Sequence, residues 1–419
     1  MGPAKTRRRR SAPAAGAAIA FALILASPAA AQAGGDAAAE SRDKPGARVQ
    51  VYGFAMLDLI YDFNQVDPNW YDMLRPSKLP SFANQFGEDG NLWASVRPSR
   101  LGVRSWLPTS LGEIRTEFEF DLLGVGADAG QTTFHLRQAW GELGPFLAGQ
   151  TWSPFMDPDI FPNYLEFWGP NGMVFYRNVQ LRWTPIRGDD RLALALERPG
   201  ATGDSGEFAD RVELQHIDDR FPYPDLSLQY RHAGSWGHVQ LSGLVRYIGW
   251  KDTLSDAFDL SGHTIGWGFN LASVWKASKS VTLKLEATYG EGIATYMRDA
   301  PTDVAAARNA DPVRPVVGKA LPVFGMVAYC EFPWSDRFRT AVGYSRLEVW
   351  NSDGQLPDAF KSGQYATADV LYEPVKNVMT GLELQWGRRR NFSDGFSADD
   401  YRIQFSARYN FSFELGANK

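Results

Sequence analysis

The stretch Gly112–Leu122, GEIRTEFEFDL, decides the fold because two kinds of side chain alternate along it. One set is uncharged and mostly apolar: Ile114, Thr116, Phe118, Phe120 and Leu122. The other set is charged throughout: Glu113, Arg115, Glu117, Glu119 and Asp121. Successive side chains of an extended chain point to opposite faces. A β-strand here therefore has one apolar and one fully charged face, and the fold must give each face a different environment.

The same period of two recurs from residue 47 to the end of the chain. It is clearest in the last segment, where Ile403, Phe405, Ala407, Tyr409, Phe411 and Phe413 alternate with Arg402, Gln404, Ser406, Arg408, Asn410 and Ser412. About sixteen strands are predicted in this way, at 47–63, 91–107, 112–123, 131–143, 145–151, 173–185, 190–198, 224–233, 236–249, 262–276, 279–290, 319–332, 336–350, 364–373, 377–389 and 399–413.

The segments between these strands alternate in length. Short connections such as PTSLG, AGSWG and PWSD consist largely of turn-forming residues. The intervening connections run from about eight to nearly thirty residues. Seven short turns and eight long loops suit a closed sixteen-stranded barrel with both termini on the short-turn side, which in outer-membrane barrels is the periplasmic side.

The facing of the charged residues follows from the cost of placing charge in lipid. An arginine at the lipid-facing midplane of a membrane barrel costs ~2 to 4 kcal/mol, and a carboxylate somewhat less. Five such groups on one strand must therefore line a wet interior. The alternative, a soluble sandwich or lipocalin-like protein, has strands of ~5 or 6 residues and no need of aromatic residues at strand ends. Aromatic residues do occur at or near the predicted ends, as in the girdles at the two membrane interfaces: Trp106, Trp140, Trp183, Trp250, Trp275, Tyr289, Trp334, Trp350, Tyr372 and Trp386.

These patterns predict an all-β transmembrane antiparallel β-barrel of about sixteen strands, with short periplasmic turns and long extracellular loops. The N-terminus has the parts of a signal peptide: a basic region at Lys5 and Arg7–Arg10, an apolar run at Ala14–Ala26, and the cleavage pattern Ala31-Gln32-Ala33, with cleavage after Ala31 as an alternative. A membrane anchor is disfavoured because the apolar run is shorter than the ~20 residues that span a bilayer. The predicted division is a signal peptide at 1–33, a periplasmic linker at 34–46, a barrel at 47–413 and a tail at 414–419.

Composition excludes several classes of function. Removal of residues 1–33 takes five basic and no acidic side chains from a total of 43 basic and 48 acidic ones, which leaves a formal charge of −10 and disfavours nucleic-acid binding. The lone Cys330 builds neither a disulfide framework nor a thiolate zinc site, and the five histidines have no metal-like spacing. No metal, cofactor or enzymatic activity is predicted. A lipid hydrolase would need a Ser and His pair on the lipid-facing side, whereas His238 and Ser242 share the inward face.

Four segments carry a resemblance to a known family: Leu57–Pro80, Arg97–Ser105, Thr133–Asp157 and Leu165–Trp183. They resemble the DcaP-like family of outer-membrane porins, specifically over residues 47–185. The resemblance implies a sixteen-stranded homotrimeric barrel in the outer membrane of a Gram-negative bacterium, which passes small anions with a preference for dicarboxylates. Typical members of the family have a periplasmic coiled coil before the barrel, whereas Gly34–Gly46 has no heptads. Barrel walls would therefore have to hold a trimer together.

Candidate site residues are chosen by inward facing, because a channel selects through pore width and through charges that project into the lumen. Guanidinium groups suit carboxylates because their planar fork donates two parallel hydrogen bonds. Arg97 joins the inward set only if Pro98 marks a bulge, and Arg177 either lies above the membrane or swings inward. The predicted basic wall consists of Arg97, Arg100, Arg104, Arg115, Arg137, Arg177 and Arg182.

Two features limit this prediction. Glu113, Glu117, Glu119 and Asp121 also face inward, so they can neutralise the arginines in a ladder that only stiffens the wall. The aromatic and proline-rich stretch Trp152–Gly172 is unusual for a segment in water. It is predicted to fold into the lumen as a constriction loop, with Asp157, Asp159 or Glu166 facing the basic wall. A loop that contacts neighbouring subunits is the alternative.

The functional expectation is passive diffusion of small anionic solutes, with dicarboxylates implied by the resemblance, through an arginine-lined constriction. The alternative is a general or carbohydrate-type porin with little anion preference, which would place stacking aromatic residues in the lumen. The run Arg388–Arg390 near the last external loop either attracts anions or contacts lipopolysaccharide phosphates.

Overall fold

The main sheet closes on itself because its first strand pairs with its last. A computed structural model describes residues 46–416, so the predicted signal peptide, linker residues 34–45 and residues 417–419 lie outside the described part. The first strand, Arg48–Asp62, pairs antiparallel with Ser397–Leu415 on one edge and with Arg100–Thr109 on the other. Pairing continues antiparallel between neighbours around the whole sheet. The predicted sixteen-stranded transmembrane barrel is thereby confirmed.

The wall has sixteen strand positions, two of which consist of two segments each. The sheet strands and the short strands of the loops are β1 (Arg48–Asp62), β2 (Asn91–Ser95), β3 (Arg100–Thr109), β4 (Gly112–Leu123), β5 (Thr132–Leu143), β6 (Phe146–Trp152), β7 (Arg177–Ile186), β8 (Arg191–Glu197), β9 (Gly203–Asp204), β10 (Ile217–Arg220), β11 (Asp225–Gly234), β12 (Gly237–Asp252), β13 (Gly262–Ser278), β14 (Val281–Glu291), β15 (Val304–Arg308), β16 (Val316–Ala320), β17 (Pro322–Pro333), β18 (Phe338–Val349), β19 (Phe360–Val375), β20 (Val378–Asn391) and β21 (Ser397–Leu415). Strands β2 and β3 both pair with β1, and β10 and β11 both pair with β12.

The long loops contain the remaining regular structure. Strands β9, β15 and β16 form a separate three-stranded sheet. Short 3-10 helices lie at Pro68–Trp70, Pro76–Lys78, Gly126–Asp128, Pro158–Ile160, Gly206–Phe208, Leu214–His216 and Ala294–Tyr296. Among residues 46–416, no helix has the length and apolar character needed to cross a bilayer.

The two faces of β4 lie as the alternation predicts. Glu117, Glu119 and Asp121 are buried inside the barrel, whereas Phe118 points outward and is 42% exposed. Large exposed apolar side chains follow the same outward parity in the other strands, among them Leu181, Leu241, Phe269 and Leu384. The apolar faces thus form the band that contacts acyl chains.

A bulge in β5 changes the facing of the second half of that strand. Glu119 of β4 lies opposite Gln138 and the next residue, Phe120, lies opposite Leu136, so Arg137 is the extra residue. Beyond the bulge Trp140 points inward, and its indole N–H donates to the Glu117 carboxylate at 3.1 Å. The prediction that Trp140 belongs to an outer aromatic girdle is therefore wrong, because one inserted residue reverses the parity.

Candidate functional site

The loop between β6 and β7, residues 153–176 and here called L3, lies inside the barrel. Its first half contacts inward side chains of β12 and β13: Gln240 and Asn270 donate to the carbonyl groups of Met156 and Phe155, each at 3.1 Å. The rest of L3 contacts the neighbouring part of the wall, on β14, β17, β18 and β20. Four inward side chains of the wall accept hydrogen bonds from backbone N–H groups of L3. The donor and acceptor pairs are Asn163 to Glu331 at 2.6 Å, Leu165 to Glu383 at 2.6 Å, Gly172 to Ser345 at 2.8 Å and Val174 to Glu286 at 3.3 Å.

Glu166 organises L3 from within. Its buried carboxylate accepts the N–H groups of Trp168 at 2.8 Å and Gly169 at 2.5 Å. It also accepts the N–H of Leu74 at 3.1 Å and the hydroxyl of Tyr365 at 2.9 Å. Burial raises the pKa of Glu166, and these hydrogen bonds oppose that effect. Glu166 therefore joins L3 to the first long loop and to β19; it does not face the predicted basic wall.

The other two predicted acidic residues lie at the far end of L3. Asp157 is buried and its carboxylate lies 2.7 Å from Nε2 of His238. Asp159 lies 2.6 Å from the guanidinium of Arg231, which also contacts Nδ1 of His238 at 3.0 Å. The ligand atoms of Asp157, Asp159 and His238 lie close enough together to suggest a cation site. Arg231 already supplies the positive charge there, so the cluster anchors L3 to β11 and β12.

A group of arginines occupies the wall that faces the middle of L3. Arg137 is almost fully buried and binds Glu119 at 2.8 Å and Asp121 at 2.7 Å. Arg100 lies 3.7 Å from the same Glu119. Asp121 also contacts Nδ1 of His135 at 2.9 Å. Arg100 and Arg137 thus share Glu119, and Arg137 alone also binds Asp121.

Arg177 joins this group without a carboxylate partner. Its guanidinium lies 5.1 Å from the ring centre of Trp152 and 5.5 Å from that of Phe175, so it points into the barrel. One of its terminal nitrogens is buried and has no hydrogen-bond partner among the described residues. The charges that act on it are, in decreasing order, those of Arg137, Asp121, Arg100 and Arg298. The inward alternative is therefore the one that the structure adopts.

Arg298 is a member of the group that the sequence analysis missed. It comes from the loop between β14 and β17, and its side chain donates to the carbonyl groups of Trp168 and Phe167 in L3. The guanidinium also lies 4.1 Å from the ring centre of Trp168 and 3.7 Å from that of Phe175. Burial lowers the pKa of Arg298 to about 10, so it stays charged at neutral pH.

The remaining predicted arginines lie elsewhere. Arg97 is completely buried in an ion pair with Asp72 at 2.9 Å, so it supports the first long loop and does not line a channel. Arg104 binds Glu117 at 2.7 Å. Arg115 and Arg182 line a different cavity, close to the short-turn end of the barrel. The predicted wall therefore separates into buried supports, paired residues and two distinct arginine groups.

The family model for the DcaP outer membrane protein matches residues 35–411. The chain belongs to this family. Within solved structures, the chain is similar to the outer-membrane channel DcaP of Acinetobacter baumannii, with 21% identity, a TM-score of 0.71, and coverage of 87% of this chain and 98% of that one. The location is therefore the outer membrane of a Gram-negative bacterium. No curated protein matches the sequence.

Two more distant structures share the fold. The anion-selective porin from Comamonas acidovorans has 11% identity and a TM-score of 0.55, with 87% of this chain and 100% of that one covered. OmpT of Vibrio cholerae has 11% identity and a TM-score of 0.53, with 87% and 98% covered. At sequence identities this low, the similarity shows a shared fold and nothing more. The fold of this DcaP family member is that of the outer-membrane porins.

Replacement of Glu166 by Ala is expected to loosen L3, because three backbone N–H groups and one tyrosine hydroxyl lose their acceptor. The expected result is a higher single-channel conductance in planar bilayers and faster proteolysis within L3. The matched control is Glu207→Ala, which removes an exposed loop carboxylate bound to Arg308 at 2.7 Å and should leave conductance unchanged. An unchanged conductance in Glu166→Ala would contradict the assigned role.

Proposed function

We propose that this DcaP family member is a passive porin whose lumen favours small anionic solutes. The supporting observation is the charge imbalance in the group formed by Arg100, Arg137, Arg177 and Arg298. Among the described residues, two carboxylates, Glu119 and Asp121, bind members of this group directly. A surplus of positive charge beside a low-dielectric wall attracts anions and repels cations, because such walls focus the field.

The position of L3 makes this surplus effective. L3 also lies against the wall that carries Arg137 and Arg177, through Phe167 and Phe175. We infer that solutes pass beside L3, where they meet the field of this arginine group. The electric field of a charge is stronger in a narrow channel with low-dielectric walls. The local surplus of positive charge therefore determines ion selectivity more than the negative charge of the whole chain does. Dicarboxylates fit this site because two carboxylates can each accept a pair of hydrogen bonds from a guanidinium group.

The aromatic residues of L3 bear on the carbohydrate alternative. Sugar-binding channels need ring faces that are free to stack on their solutes. In L3 the ring faces of Trp168 and Phe175 are taken by Arg298, and Arg177 lies over Phe175 as well. The rings therefore support arginines and do not form a free stacking surface, which favours an anion route over a sugar route.

Covalent chemistry has no support in the inward polar groups. A nucleophile needs an adjacent base that is free to accept its proton. Both ring nitrogens of His238 are occupied, by Asp157 and Arg231, and Ser242 accepts a hydrogen bond from Gln240. These contacts give the pair a structural role in holding L3.

We further propose a homotrimer that binds lipopolysaccharide through its outer wall. One porin of this architecture, OmpT of Vibrio cholerae, has a trimer form. Outward residues of β18 to β21 form rows in register, first Val342, Ala368, Leu384 and Ile403, then Tyr344, Ala366, Trp386 and Tyr401, then Arg346, Gln364, Arg388 and Asp399. Arg346 and Arg388 lie beside Glu348 and Asp399. The exposed Arg390, further along β20, has no carboxylate within 4.0 Å among the described residues, so it suits lipid phosphates. Native mass spectrometry should show three chains with retained lipopolysaccharide; a bare monomer would contradict this proposal.

Replacement of Arg177 by Gln is expected to reduce the anion preference, because it removes a charge that forms no ion pair with a carboxylate among the described residues. The reversal potential in a planar bilayer under a salt gradient measures this effect. A loss of ~1.4 kcal/mol of favourable interaction corresponds to a tenfold lower anion-to-cation permeability ratio. The matched control is Arg314→Gln, an exposed loop residue paired with Asp259, which should not change the ratio. A cation-selective wild-type channel would refute the proposal.

A further inference from the structure

A second arginine group lines a cavity of about 480 Å³ near the short-turn end of the barrel. Its arginines come from β4, β7, β8 and the turn between β7 and β8: Arg115, Arg182, Arg187 and Arg191. Glu142 is the one carboxylate among the residues that line it. The cavity is therefore strongly basic. We call it the arginine vestibule.

The state of the individual arginines shows that the charge is available. Arg182 is mostly buried, and its Nε has no hydrogen-bond partner in the described part of the chain. Arg187 uses one nitrogen to donate to the Gly144 carbonyl group, and Arg191 is exposed. Within residues 46–416, none of these three has a carboxylate within 4.0 Å. Arg115 differs, because it binds Glu113 at 2.9 Å.

The other lining residues suit a small, multiply charged anion. Thr184 adds a hydroxyl group at the cavity surface. Trp140 and Gln229 also line the cavity, but their N–H groups donate to Glu117 and Gln240, so the arginines carry the recognition of an anion. The volume lies within the ~300 to 1,000 Å³ of ordinary small-molecule sites. A charged group that is buried without a partner costs free energy. An anion that accepts a hydrogen bond from Arg182 would remove this cost and would therefore be bound favourably.

We propose that the arginine vestibule binds small multivalent anions, such as those with two or three carboxylate or phosphate groups, at the periplasmic mouth of the channel. This inference rests on the proposed anion permeability, because the vestibule would be a second anion-binding site along the same path. Anions that leave the constriction meet a surplus of guanidinium groups before they reach the periplasm. The channel is therefore asymmetric, and multivalent anions reach the vestibule more easily from the periplasmic side.

The vestibule is distinct from the constriction in its residues. Arg100, Arg137, Arg177 and Arg298 contact L3 or the carboxylates of the upper part of β4, and none of them lines the vestibule. Arg115 and Arg182, predicted from sequence to join the constriction, belong to the vestibule. Substitutions in the two groups therefore have separable effects.

The test uses the full-length channel in an oriented planar bilayer, with inorganic tripolyphosphate added to one side at a time. Block from the short-turn side is expected at about tenfold lower concentration than from the long-loop side, because an anion that enters from the long-loop side must first pass the constriction. The double variant R182Q/R191Q should lose this sidedness. The control R308Q/R314Q removes the same charge from exposed loop residues and should keep it.

Two outcomes would contradict the proposed anion site in the vestibule. One is equal block by tripolyphosphate from both sides of the wild-type channel. The other is an unchanged difference between the two sides in R182Q/R191Q. If that variant fails to insert, R191Q alone serves, because Arg191 is exposed and its loss should still weaken block from the short-turn side. The sign of the wild-type reversal potential is recorded in the same membranes. A cation-selective sign defeats the proposed function, whereas an anion-selective channel with symmetric block defeats the vestibule alone.

Discussion

The structure depends on the cost of exposing charge to hydrocarbon. Because a charged side chain on the lipid-facing side of a barrel costs ~2 to 4 kcal/mol, each strand must turn its polar parity inward. The barrel encloses those charges, and each of them needs a partner or water. Glu331 and Glu383 meet this need with backbone N–H groups of L3. The inward carboxylates of β17 and β20 therefore hold a loop inside the lumen, and the lipid constraint shapes the channel as well as the wall.

Selectivity follows from how completely those charges are paired. Buried pairs such as Arg97 with Asp72 are neutral as units and stabilise loops without attracting solutes. Arg137 is paired as well, but its neighbour Arg177 is not. Counting inward arginines therefore says little about the pore; the unpaired ones set the potential. Arg177 and Arg298 near L3, and Arg182, Arg187 and Arg191 near the periplasmic end, are among the described residues that have no carboxylate partner.

The parts of the fold that repeat could be predicted, and the parts that break the repeat could not. The alternation in β4 and β21 gave the correct facing because the period of a strand is two. The bulge at Arg137 leaves no mark in composition, yet it turned Trp140 into the lumen. Arg298 lies in a long loop without periodicity, so nothing in the sequence placed it beside Trp168. Whether an arginine forms an ion pair depends on distances of a few ångströms, which the alternation of side chains does not give. The sequence therefore could not show that Arg97 is paired and Arg177 is not.

In each strand, the polar side chains border enclosed water and the apolar side chains border lipid. Spin labels placed singly at residues 113–122 of β4, in a Cys330→Ser background and in lipid bilayers, distinguish these two environments. Labels at positions 114, 116, 118, 120 and 122 are expected to collide preferentially with dissolved oxygen, and the intervening labels to be shielded from it. Loss or reversal of this alternation would show that the faces of β4 do not lie in these environments.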